Sequence, residues 1–101
     1  MRLLSLFLLV LSGLAGATEA GLPAAGSYGF DWLKPDSTRC QQLTPKLIAR
    51  FKQCTPPDIS YSFGLDFPGQ ACRINARSEF MVYVTRKQCQ EAFETMQAHA
   101  P

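Results

Sequence analysis

Four cysteines, Cys40, Cys54, Cys72 and Cys89, are the residues of this 101-residue chain best suited to chemistry, and their spacing decides which chemistry. The intervals between them hold 13, 17 and 16 residues. Structural zinc sites usually present ligands in close pairs such as C-x-x-C, because one tight turn must aim two thiolates at a single ion. A redox-active dithiol needs the same short spacing. Neither pattern is present, so no metal ligand is assigned, and the even count reads as a framework of two disulfides. Three pairings are open. A helix of roughly ten residues between Cys40 and Cys54 would span ~15 Å, beyond the ~7 Å across which two Cα atoms can be bridged. Cys40–Cys89 with Cys54–Cys72 is therefore the preferred pairing.

Catalytic side chains are sparse. The one histidine, His99, lies two residues from the end of the sequence, and a fraying segment does not hold an imidazole for acid–base work. Asp58, Asp66 and Glu79 remain as candidate carboxylates. A glycosidase-like pair needs two carboxyls about 5–10 Å apart across a cleft, and nothing in the sequence pairs these three. No catalytic residue and no cofactor is assigned, and a non-enzyme is the favoured reading.

Candidate binding residues are easier to name. Trp32 is the only tryptophan, and it sits in a run, Phe30-Asp31-Trp32-Leu33, that must either anchor onto a core or meet a partner. Arg73, Arg77, Arg86 and Lys87 form a modest basic cluster. Arg86 and Lys87 fall in the first turn of an expected helix, where the helix dipole disfavours positive charge. These five residues form the candidate binding surface. The expected loops 66–70 and 75–78 could be presented rigidly to a partner.

The elements that position them follow from periodicity. Thr44 and Pro45 suit the N-cap and first position of a helix, and Leu47, Ile48, Phe51 and Cys54 recur on one face until Pro56-Pro57 stops it. Residues 59–65 alternate apolar with small or polar, as a half-buried strand does. Pro68-Gly69 suits a type II turn, a second strand follows over 71–75, and 79–84 is strongly strand-like. Thr85 and Gln88 then form a capping-box pair, and Cys89, Ala92, Phe93 and Met96 make one apolar stripe of a closing helix. The expected fold is a small disulfide-stapled α+β domain, helix–three-stranded antiparallel sheet–helix, with both helices on one sheet face.

The beginning of the chain has a different character. Met1-Arg2 precedes a short apolar run over 3–11, and Ala15-Gly16-Ala17 fits the small-residue rule for signal cleavage. Residues 1–17 are therefore read as a signal peptide, with a second cleavage site after Ala20. The apolar run is about half the ~20 residues needed to span a membrane. Residues 18–36 are read as a flexible lead-in with an aromatic anchor, and 37–101 as a single domain. Ten basic and eight acidic residues give a net charge of +2, and losing Arg2 leaves +1, with signs interspersed. That excludes a nucleic-acid or strong membrane-surface role. The chain thus reads as an exported protein, periplasmic or extracellular. It would bind a protein or envelope component, with an inhibitor-like module one concrete form. A carboxylate-dependent enzyme and a structural envelope protein are the alternatives.

Overall fold

A computed structural model describes residues 21–57 and 62–99. The expected signal peptide with its cleavage sites, Asp58, and the first half of the expected strand at 59–65 lie outside those residues. In chain order the elements are β1 (Tyr28–Asp31), β2 (Gln41–Gln42), α1 (Pro45–Ile48), β3 (Gln53–Cys54), a 3-10 turn (Ser62–Gly64), β4 (Gln70–Asn75), β5 (Ser78–Tyr83) and α2 (Arg86–His99). The fold is α+β with two disulfides, and its sheet has five strands rather than three, ordered β2-β1-β5-β4-β3 with every neighbour antiparallel.

Of the strands the sequence does not announce, β1 comes from the segment expected to be flexible. Tyr28, Phe30 and Trp32 alternate with Gly29 and Asp31, which is a strand period. β1 pairs along its whole length with β5, from Tyr28 opposite Tyr83 to Asp31 opposite Phe80. Phe30 is fully buried, so β1 belongs to the sheet and its core rather than to a loose lead-in. Gly29 hides this strand from a propensity reading, because glycine weakens strands in general. Here it is required by a close approach: a Cβ would fall 2.8 Å from the Met81 carbonyl oxygen.

The expected helix over 44–54 is cut short. Thr44 caps α1, its hydroxyl accepting the Leu47 N–H at 3.2 Å. After Ile48 the bonds tighten to the i→i−3 type, Arg50 to Leu47 and Phe51 to Ile48. The Lys52 N–H then donates to the Arg73 carbonyl, and the chain enters the sheet as β3. Thr55 precedes Pro56-Pro57, and a residue before proline is pushed to extended backbone, which suits pairing with β4 better than another helical turn. Where the described residues resume, Phe63 and Gly64 have φ of 65° and 68° in the 3-10 turn at 62–64, so no strand runs there. Gly69 has no positive φ, so Pro68-Gly69 is not a type II turn. The glycine is needed because the Tyr83 ring lies 2.7 Å from where its Cβ would be.

Both faces of the sheet are covered, and by different elements. α2 packs over Phe30, Met81 and Tyr83 with Cys89, Ala92 and Met96. Leu43, Phe51 and the side chains of α1 cover Ile74, Phe80 and Val82 on the other face. The helices therefore lie on opposite faces rather than one. β5, central and buried on both sides, carries the uninterrupted apolar run Phe80-Met81-Val82-Tyr83 for that reason.

Each face has a disulfide. Cys40 joins Cys89, tying the segment before β2 to α2, and Cys54 joins Cys72 across β3 and β4. Cys54 and Cys72 are register partners with Cα atoms 4.0 Å apart, in the closely spaced, non-hydrogen-bonded position of the ladder.

Candidate functional site

The end of the sheet where β1 leaves and the β4–β5 hairpin turns holds most of the buried polar chemistry. Asp31 ends β1 and is 7% exposed. One carboxylate oxygen accepts from the N–H groups of Leu33 (3.1 Å) and Glu79 (3.3 Å), the other from the Ser78 hydroxyl (2.6 Å) and Lys34 Nζ (3.1 Å). Burial pushes this carboxyl up. The hydrogen bonds from Ser78 and Lys34, joined by those two backbone N–H groups, outweigh it and hold Asp31 below its ordinary value. Lys34 Nζ also donates to the Arg77 carbonyl at 2.7 Å, closing the hairpin turn against the segment after β1.

The hairpin itself has only Ala76 and Arg77 between its paired ends, Asn75 and Ser78. Neither has a positive φ, so the primed turns usual in two-residue hairpins are not used. A register shift between Arg73 and Asn75 takes up the mismatch as a bulge, and Asn75 Oδ1 accepts the Arg77 N–H at 2.8 Å. The loop expected at 75–78 is thus a well-tied turn.

Beside it stands Trp32. Its backbone N–H donates to the Glu79 carbonyl at 3.1 Å, and its indole N–H to Glu79 Oε1 at 2.8 Å. Glu79 Oε2 lies 3.4 Å from Arg73, whose guanidinium also reaches the Asn75 carbonyl at 3.3 Å. Trp32 nonetheless remains 37% exposed. A large aromatic is therefore held at the surface in one orientation by a carboxylate that an arginine holds in turn. Glu79, considered from sequence as a catalytic carboxylate, is a positioning group with both oxygens engaged. Asp66 lies exposed between the 3-10 turn and β4.

Of the five residues of the candidate binding surface, the fold gathers Trp32, Arg73 and Arg77 at this end and sends Arg86 and Lys87 to the opposite end of β5. There the Arg86 guanidinium sits 5.0 Å from the Tyr28 ring centroid, which offsets its unfavourable place in the first turn of α2. His99 is exposed on the last turn of α2, with Nδ1 2.8 Å from the Thr95 carbonyl. All four cysteines are in disulfides and none is a free thiol. No helix among the described residues is long and apolar enough to cross a membrane.

Asp31, Lys34 and Ser78 escaped the sequence reading. The signal for Asp31 was its place between Phe30 and Trp32 in a period-two pattern, which marks a carboxylate on a strand and in need of partners. Next to it opens a cleft of about 400 Å³, lined by Asp31, Lys34, Ser37, Thr38, Arg39 and Gln41 among others. No protein-family model matches this chain, and no curated protein or solved structure shows significant similarity to it.

Proposed function

We propose that this chain is a small exported, disulfide-stabilised binding protein that engages a protein or envelope component through the surface around Trp32. The observation that carries the reading is the exposed indole fixed by Glu79 and, behind it, Arg73. Tryptophan and arginine dominate the residues that carry binding energy at protein interfaces. An aromatic already locked in place loses little entropy when a partner covers it. A domain of this size, stapled by two bridges, suits such work because its scaffold does not have to reorder on binding. The hairpin tip beside Trp32 gives the surface a projecting edge of the sort an inhibitor presents.

The test is capture of a partner by the oxidised protein from the exported fraction of its source, compared with Trp32→Ala. Wild-type protein should retain a defined partner and Trp32→Ala should lose it, with both showing the same cooperative thermal transition. Equal capture by both would remove Trp32 from the function.

A further inference from the structure

The side-chain carboxylates around Trp32 already face donors of this chain. Both oxygens of Asp31 and both of Glu79 are engaged by groups of this chain. The donors are not exhausted. Arg73 has a half-exposed side chain and Lys34 likewise, and a guanidinium carries five N–H donors. Arg77 is exposed and joins the network through its backbone, while its side chain makes no hydrogen bond or ion pair among the described residues. The surface therefore offers donors and positive charge around an aromatic plate. A neutral sugar would leave that positive charge without a counter-charge. A carboxylate only accepts, and it fits.

We infer that the partner is an acidic polypeptide segment, its carboxylates meeting Lys34, Arg73 and Arg77 and its apolar part covering Trp32. This rests on the binding surface proposed above and names its chemistry. The low net charge of the chain, +2, argues for a short acidic stretch rather than a long polyphosphate, whose binding scales with the number of phosphates neutralised.

Trp32 is the chain's only tryptophan, so its fluorescence reports this site alone. The experiment titrates the oxidised full chain with poly-L-glutamate at pH 7, following Trp32 emission. A saturable change that weakens with added salt is expected. Arg77→Gln should raise the Kd about three-fold, the size of one exposed ion pair. Lys87→Gln removes the same charge at the far end and should leave the Kd unchanged. If Lys87→Gln weakens binding as much as Arg77→Gln, diffuse charge accounts for it and the inference falls. Tighter binding to heparin through Arg77 would overturn the polypeptide in favour of a sulfated sugar. Absence of any emission change with poly-L-glutamate overturns the acidic partner. Loss of capture by Trp32→Ala would in that case leave the binding surface standing, whereas unaltered capture would remove the surface itself.

Discussion

The two ends of the β1–β5 ladder are built from similar materials and treated in opposite ways. At the Asp31 end, a buried carboxylate has four donors and an exposed indole has its N–H partnered. At the Tyr83 end, a buried phenol hydroxyl has no hydrogen-bond partner among the described residues. Around it lies a groove of about 270 Å³ lined by Leu22, Pro23, Pro57, Pro68, Val84 and Tyr83 among others, and Val84 is 73% exposed. One end is organised by polar bonds and the other by ring packing, with Phe67 edge-on to Tyr83 at 5.6 Å. Hydrogen bonds are directional, whereas the hydrophobic effect that drives ring packing is not. Only the first kind of construction fixes a polar side chain in one orientation.

The largest effect should come from removing the organiser. Asp31→Ala leaves Ser78, Lys34 and two backbone N–H groups without their acceptor, and should cost about 3 kcal/mol. Urea unfolding followed by Trp32 fluorescence measures it, and Trp32 should also lose its fixed environment before global unfolding. The same carboxyl gives a pH signature. Its folded value lies below that of the unfolded chain, so its contribution is complete above the ordinary carboxylate range and is lost as pH falls through the folded value. Asp31→Asn should flatten the acid limb of stability against pH relative to wild type. An unchanged acid limb would show that Asp31 does not organise this end.

Legibility from sequence divides along similar lines. α2 was readable because Cys89, Ala92, Phe93 and Met96 satisfy a helical period on the one face that is buried. β4 and β5 were readable because their apolar residues are dense and β-prone, and the observed strands start within a residue of the expected ones. β1 was not, since half its pattern is Gly29, whose reason for being there is a neighbour 52 residues away in sequence. Nor was β3, where a helical period through Leu47, Ile48, Phe51 and Cys54 lost to pairing with β4. Helix length argued for Cys54–Cys72, yet in the fold that bridge follows from strand register. The candidate site was visible only as isolated residues. Trp32, Arg73 and Arg77 meet because β1 lies beside β5, and the topology that joins them was the part that periodicity does not encode.

Substitutions at the Tyr83 end should have smaller effects, and of both signs. Gly69→Ala places a methyl 2.7 Å from Tyr83 Cε1. The ring is held by Phe67 and by Phe30, whose centroid is 6.3 Å away, so relief requires a shift of the packed cluster. Overpacking of this kind costs about 1–3 kcal/mol, read as a lower thermal midpoint. Trp32 emission should stay native-like up to the transition, because the damage is at the far end. A change at Trp32 below the transition would mean that the two ends are coupled.

Tyr83→Phe is the sharpest test of the contrast because it should go the other way. The hydroxyl was desolvated on folding without a partner, so deleting it removes a cost and leaves the ring packing intact. The expected result is unchanged stability or a gain of up to about 1 kcal/mol, where Asp31→Ala loses several times that. Alkaline pH gives a second readout. Burial pushes the Tyr83 phenol from 10.0 up to about 12, so between those values the unfolded chain gives up a proton that the folded one keeps. Wild-type stability should therefore fall across that window, and Tyr83→Phe should remove Tyr83's share of the fall. A loss of more than about 1 kcal/mol in Tyr83→Phe would require the hydroxyl to hold a hydrogen bond worth that much. The Tyr83 end would then be organised as the Asp31 end is, by satisfied polar groups, and ring packing would no longer distinguish the two.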